Sequence, residues 1–338
     1  MSVYNGYKYL SETIESILDQ SFTGFEFIII DDGSTDGSSE IIDRYRQQDT
    51  RINVIQNREN IGLALSLNKG LQAAEGKYIA RMDADDICLP ERFQIQFDYL
   101  EEHPEICILG SGIIHIDNEG NEIRRISYPN TPNRLRWNML FGTTGLVCHP
   151  CAMMRSEKIR EVGLYRNLPA SQDMDLWCRF FAHEPLPITN LDIPLVKYRW
   201  HENSFSTRFS KVQHEVSSQI RLETINREFS RSYDFGMIES YREPNPETAN
   251  YKKVALSGYV SAWFEIFDLF ARRFKLDDKD QSDFYQQILY HSRNYVSLVP
   301  QISTHNPKIW LPVLFQRLGF KHTFQLLLYK VSRYLADL

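Results

Sequence analysis

The sequence predicts an α/β protein: a doubly wound, mostly parallel sheet flanked by helices over 1–205, then a helical C-terminal region over 206–338. Three observations carry that expectation. Short apolar runs rich in β-formers alternate with stretches of helical periodicity through the first half of the chain. Clusters of acidic residues fall just past two of those runs, at Asp31-Asp32 and at Asp83-Ala84-Asp85-Asp86. After about Ser204 the strand signals fade and long helical patterns take over.

The elements follow in order. Tyr9–Asp19 carries Leu10, Ile14, Ile17 and Leu18 at helical spacing. FEFIII, Phe25–Ile30, is a short apolar run suited to a buried parallel strand. DDGSTDGS is a turn-rich loop with capping residues, and it leads into a helix over Ser39–Gln48 and a strand over Ile52–Gln56. Gly62 opens another helix, with Leu63, Leu67 and Leu71 on one face and Gly76 beyond its end. Lys77–Met82 is again a strand. A β-α-β-α-β series with short connections implies right-handed crossovers between parallel strands. Pro90 suits the first position of a helix running to about Glu102 and stopped by Pro104. Ile106–Gly110 reads as a strand and Gly112–Ile126 as a hairpin around Asp117–Gly120, with mixed structure continuing to His201. Helical patterns then cover Val212–Phe229, Tyr251–Phe274 and Asp283–Leu298, with a break at Arg242–Pro246. The last segment, Ile309–Leu335, mixes aromatic and leucine residues with lysine and arginine. It reads either as an amphipathic helix packed on its own domain or as a helix lying on an anionic membrane surface.

Composition narrows the function classes. A net charge of −6 over 338 residues argues against non-specific nucleic-acid binding, which needs a basic face. No apolar leader follows Met1, and no run reaches the ~18 apolar residues of a membrane-spanning helix. The expectation is a cytoplasmic protein, at most peripheral on the inner face of a membrane. Five cysteines, an odd number, do not suggest a disulfide framework. Cys148 and Cys151 form a CHPC stretch, but no second such pair completes a zinc site.

The acidic clusters carry the chemistry. In an open parallel sheet, ligands bind beyond the carboxyl ends of the strands, so both clusters face one crevice if their strands lie in one sheet. Asp83, Asp85 and Asp86 crowd together, and like charges this close repel unless a cation belongs between them. A calcium loop would need a further oxygen ligand where Ile87 stands, followed by glycine. No glycine-rich dinucleotide fingerprint and no P-loop is present. An Asp-x-Asp pair that leaves positions open for phosphate oxygens suits Mn²⁺ or Mg²⁺, and the implied ligand is a metal–diphosphate.

The ordered set VYNGYKYLSETIESILDQSF, FEFIIIDDGSTDGS, NIGLALSLNKGL and EGKYIARMDADD resembles family 2 glycosyltransferases of the GT-A fold, over roughly residues 3–205. The resemblance implies a donor site for a nucleotide-sugar, a UDP-sugar foremost. Val3, Tyr4 and Asn5 would line its nucleoside pocket, and Asp32 would recognise the base. Asn60, Gly62 and Arg81 would belong to the same nucleotide-sugar set. Asp83 and Asp85 match the metal-binding DxD, with Asp85 the more direct ligand of Mn²⁺ or Mg²⁺. His201, in YRWHENSFS, resembles a Y-R-x-H motif that closes the nucleotide site and can reach the metal. ASQDMDLW resembles the acceptor-side E-D-x-x-L-W segment, which makes Asp173 the general base and puts Trp177 nearby. Gln172 stands where glutamate is usual. His149, in VCHPCAMMR, resembles an HP segment near the acceptor. The implied reaction is one direct displacement with inversion onto the hydroxyl of a glycan or lipid-linked sugar, in bacterial surface polysaccharide synthesis.

One departure is plain. The chain begins at Met1-Ser2-Val3, so the first and central strand of such a sheet is expected to be missing, through a misplaced start or a truncation. The missing strand, Gln172 and the basic C-terminus also motivate an alternative: an inactive nucleotide-sugar-binding or scaffold subunit of a membrane-associated assembly.

Overall fold

A computed structural model describes residues 1–142, 145–202, 204–242 and 253–296. The expected surface helix over 309–335 and most of the expected break at 242–246 lie outside the described residues. Two compact units are present, Met1–Met139 with Thr144–Ser217, and Leu140–Thr143 with Ser218–Leu338.

In the first unit the chain runs β1 (Ser2–Val3), α1 (Tyr7–Leu18), β2 (Phe27–Asp31), α2 (Ser38–Gln48), β3 (Ile52–Gln56), α3 (Leu63–Ala73) and β4 (Tyr78–Ala80). β5 (Ile87–Cys88), α4 (Arg92–Glu102), β6 (Ile108–Ile116), β7 (Glu122–Ile126) and α5 (Pro132–Leu140) follow. The unit continues with β8 (Met153–Arg155), α6 (Ser156–Glu161), α7 (Gln172–Cys178), β9 (Ile188–Arg199) and α8 (Phe205–Arg208). The apolar runs and helical stripes thus fold much as the periodicity predicts. Pro90 differs: it sits in a turn before α4 rather than at the helix's first position, and its carbonyl accepts the Ser21 N–H at 2.9 Å.

The α/β class stands, with its strands divided between two sheets. β1-β2-β3 is a three-stranded parallel sheet, with Phe27 opposite Ile52 through Asp31 opposite Gln56. The other sheet has six strands in the order β4-β8-β6-β9-β5, with β7 on β6. There only β6 and β9 run parallel; β4–β8, β6–β8, β5–β9 and β6–β7 are antiparallel. The β6–β7 turn is set by Asp117, whose carboxylate accepts the N–H groups of Glu119 and Asn121, with Gly120 at φ +88°. That left-handed conformation is one glycine adopts without a Cβ penalty.

The first strand, expected to be missing, is represented by two residues. Ser2 and Val3 pair in parallel with Ile30 and Asp31, and Val3 is fully buried. The Met1 amine donates to the Ile28 carbonyl at 2.8 Å, and the Met1 carbonyl accepts from Ile30 N–H at 2.8 Å. Beyond Met1 a cavity of ≈ 280 Å³ opens, lined by Met1, Ile28, Ile30, Leu67, Ile79 and Tyr165 among others.

Arg92 lies fully buried under β4. It donates to the Arg81 carbonyl at 2.8 Å, to the Ala152 carbonyl at 3.3 Å and to Gln96 Oε1 at 2.9 Å. This guanidinium joins the end of β4 to the chain entering β8. Arg92→Ala would leave a cavity and orphan the Arg81 carbonyl. It is expected to lower the free energy of unfolding by about 3 kcal/mol, read from urea denaturation.

The second unit is helical, with α9 (Ser210–Phe229) shared across the boundary, then α10 (Phe235–Arg242), α11 (Lys253–Phe274) and α12 (Asp278–Val296). Trp263, Phe264, Ile266, Phe267 and Phe270 of α11 are buried, and the Trp263 indole N–H donates to the Met237 carbonyl at 3.1 Å. α12 begins five residues before the expected Asp283, because Asp277 caps it: its carboxylate accepts the Asp280 N–H at 2.7 Å. Among the described residues no helix is long and apolar enough to cross a membrane.

Candidate active site

The loop after β4 carries Asp83, Asp85 and Asp86, whose carboxylate oxygens lie within 4.8 Å of one another. Three negative charges at such spacing are held in place by neighbours of three kinds. Arg81, itself buried, forms an ion pair with Asp83. His201 Nε2 lies 3.0 Å from Asp85 Oδ2. Asp86, 1% exposed, accepts the Arg199 N–H on Oδ1 at 2.8 Å, while its Oδ2 has no partner among the described residues. Burial, then the charges of Asp85 and Asp83, push the Asp86 carboxyl well above the usual carboxylate range. Burial also raises Asp83, against the pull of Arg81.

The sheet explains why these groups meet. β5 pairs antiparallel with β9, Ile87 opposite Lys197 and Cys88 opposite Val196. That register lays the end of β9, with Arg199 and His201 beyond it, against the acidic loop.

The donor set predicted from the sequence gathers next to this loop. A Cβ added to Gly6 would come within 3.7 Å of the Ala84 Cβ, so the turn after β1 lies on the DxD loop. Asn5 adopts φ +53° and binds the loop after β2, its Oδ1 accepting the Thr35 N–H at 2.8 Å. Tyr4 is 53% exposed. Asp32 is buried, and both oxygens are engaged: Oδ1 accepts from Asn57 Nδ2 at 2.8 Å and Ile61 N–H at 3.0 Å, Oδ2 from Gly62 N–H at 3.0 Å. Asp32 therefore shapes the Asn60–Gly62 loop, in which Gly62 sits at φ +91°.

The acceptor-side residues gather around α7. Asp173 is partly buried in its first turn, and burial raises its carboxyl above the ordinary range, with Arg81 opposing and Asp83 adding to the effect. It thus lies within electrostatic reach of the Arg81–Asp83 pair. Asp175 has a different place: it is ion-paired to Arg166 at 2.8 Å and to Arg179 at 3.2 Å. His149 Nε2 lies 2.7 Å from the Tyr165 hydroxyl, and its ring packs edge-on to Trp177. Burial, then Arg81, holds His149 well below its usual pKa, so the ring is neutral at pH 7. Gln172 and Trp177 are buried, and the Trp177 indole N–H has no partner among the described residues.

Three residues of this constellation escaped the sequence reading. Tyr165 carries no motif, and follows Gly163 at φ +85°. Asn57 holds Asp32 from the end of β3. Arg199 stood in the stretch quoted for His201, and that adjacency was its one signal. Clustered hard oxygen donors and one buried carboxylate oxygen unpartnered among the described residues together fit a divalent cation of the Mn²⁺ or Mg²⁺ kind.

Known proteins resemble this chain in sequence and in fold. Residues 1–163 match the family model described as Glycosyl transferase family 2. The chain is 39% identical over 212 residues to the putative glycosyltransferase EpsE of Bacillus subtilis, covering 62% of this chain and 74% of that one. It is 37% identical over 204 residues to the uncharacterized glycosyltransferase MJ1057 of Methanocaldococcus jannaschii, covering 59% and 69%. The amylovoran biosynthesis glycosyltransferase AmsE of Erwinia amylovora is 31% identical over 204 residues, covering 59% and 74%. Among solved structures, S. aureus TarS 1-349 in complex with UDP-GlcNAc superposes with a TM-score of 0.53 at 16% identity, covering 98% of this chain and 90% of that one. The mannosyltransferase PcManGT of Pyrobaculum calidifontis, in complex with GDP-Man and Mn²⁺, does so at 0.50 and 13%, covering 88% and 84%. At such identities these two speak for the GT-A fold alone.

Proposed function

The chain belongs to glycosyl transferase family 2, and from that premise we propose that it moves a sugar from a nucleoside-diphosphate donor, a UDP-sugar foremost, to an acceptor hydroxyl with inversion. The observation that carries this reading is the carboxylate trio after β4 with Asp173 held within electrostatic reach of it. Asp85 and Asp83, with His201 beside them, would hold Mn²⁺ or Mg²⁺. Such an ion, when bound, neutralises charge on the diphosphate leaving group.

The chain's own groups do the rest. Val3–Asn5 and the loop ordered by Asp32 form the nucleoside side. Arg81 places a fixed positive charge beside Asp83, where the diphosphate would lie. Asp173 takes the proton of the acceptor hydroxyl as that oxygen attacks the anomeric carbon. The bond to the diphosphate breaks on the opposite face, so a single displacement inverts the centre. Burial raises the Asp173 carboxyl above the ordinary range, which makes it a stronger base for that transfer. Gln172, Trp177 and the neutral His149 wall the acceptor side. The similarity to AmsE, an amylovoran biosynthesis glycosyltransferase, supports an acceptor in polysaccharide synthesis, a growing glycan or a lipid-linked sugar.

The test is a panel of UDP- and GDP-sugars, with and without Mn²⁺, read as nucleotide release in the presence of glycan acceptors. Mn²⁺-dependent release from one donor supports the reading. Nucleotide binding with no turnover on any donor would favour the inactive scaffold, which Gln172 motivates.

A pH dependence follows from Asp173. The base works deprotonated, and its folded pKa lies above the ordinary carboxylate value. Activity is therefore lost as pH falls through that raised value, sooner than an exposed aspartate would lose it. The acid limb of kcat/KM is expected above the ordinary aspartate value of about 3.9, and its absence there argues against Asp173 as base.

A further inference from the structure

Arg199 is the last residue of β9 and is 2% exposed. Its Nε donates to the Asp85 carbonyl at 3.0 Å. Nη1 donates to the Asp117 and Asn118 carbonyls at 3.2 Å each, in the β6–β7 turn. Nη2 pairs with Glu12 of α1 at 2.6 Å. The guanidinium rests 4.4 Å from the centre of the Tyr9 ring. Tyr9 in turn donates its hydroxyl to Asn118 Oδ1 at 3.0 Å and packs 5.3 Å from the His201 ring. The backbone N–H of Arg199 holds Asp86 Oδ1. One side chain thus fastens α1 and a hairpin turn to the main chain of the acidic loop.

A buried charge of this kind is costly to desolvate, and the Glu12 partner is 54% exposed, so the ion pair alone accounts poorly for its burial. Its rigid planar fork, which reaches three carbonyls at once, accounts for it better. We propose that Arg199 is a positioning residue for the cation site: it fixes the backbone at Asp85 and, through its N–H, the carboxylate of Asp86, so that Asp85 presents one orientation to the ion. This rests on the divalent-ion reading above. Groups that orient metal ligands without touching the metal typically change affinity by ~10–100-fold when removed.

The experiment compares the full chain with Arg199→Lys and Glu12→Gln, titrating MnCl₂ with UDP present and following it by calorimetry and by the Mn²⁺ paramagnetic resonance signal. Lysine keeps a charge for Glu12 but cannot reach Asp85 and the hairpin carbonyls together. Arg199→Lys is expected to weaken Mn²⁺ binding by about 10-fold or more and to raise the Mn²⁺ needed for half-maximal turnover equally, with kcat recovered at saturating Mn²⁺. Glu12→Gln is expected to bind Mn²⁺ as the parent does. A folded Arg199→Lys protein with parental Mn²⁺ affinity overturns the proposal, as does a kcat loss that Mn²⁺ does not rescue. Should Arg199→Lys not fold, Tyr9→Leu removes the ring beneath the guanidinium, and unchanged Mn²⁺ affinity there overturns it too. A parent chain that takes up no Mn²⁺ defeats the divalent-ion reading itself, and the proposal with it.

Discussion

Asp85→Ala is expected to lower Mn²⁺-dependent transfer by about 10³-fold. The reason is how the three carboxylates are engaged. Asp83 is held by Arg81, and Asp86 is buried and turned to the end of β9. Asp85 keeps only the His201 contact and is about as open as Asp83, with side-chain exposures of 32% and 30%. Its removal leaves no unengaged, accessible carboxylate for the ion. The metal-free protein should respond in the opposite direction, because one of three mutually repelling charges is gone. A higher melting temperature without metal, together with lost turnover and lost Mn²⁺ binding, identifies the residue as a ligand. Unchanged turnover would remove the cation from the mechanism.

Asp173→Asn is expected to reduce kcat by ~10²–10⁴-fold while leaving donor KM nearly unchanged. The amide keeps the shape and an acceptor oxygen for the backbone N–H groups at the start of α7, so the fold should persist. Proton uptake from the acceptor is what it loses. The acid limb of the pH profile should vanish with the base. Single-turnover measurement under saturating donor isolates this step, and a kcat close to that of the parent would reassign Asp173 to capping its helix. Asp175→Asn is the contrasting change: Asp175 is tied to Arg166 and Arg179, so its loss should appear in stability before rate.

Local pattern made much of this molecule legible. FEFIII, read as a buried strand over Phe25–Ile30, forms one over Phe27–Asp31, and the leucine stripe after Gly62 forms α3. The Asp83–Asp86 crowding was visible because charge density does not depend on knowing the fold. What periodicity does not carry is pairing. β4 finds β8 some way along the chain, and a three-residue run such as MMR announces neither its direction nor its partner. Arg199 reaches the acidic loop only through the β5–β9 register. Tyr165, which meets His149, is held by Asn68, whose Nδ2 donates to the Tyr165 carbonyl and whose Oδ1 accepts the Tyr165 N–H, a pairing no local signal records. Asp32 is the reverse case: its position was legible, yet its buried hydrogen bonds to Asn57, Ile61 and Gly62 give it a loop-forming part that the motif did not announce.

The cavity beyond Met1 should also make the folded chain visible to an apolar dye. It opens to solvent and is lined by Ile28, Ile30, Leu67 and Ile79 among others. Apolar side chains gathered in an open hollow are what such a dye binds, so the native protein is expected to brighten it and Ile79→Lys to dim it.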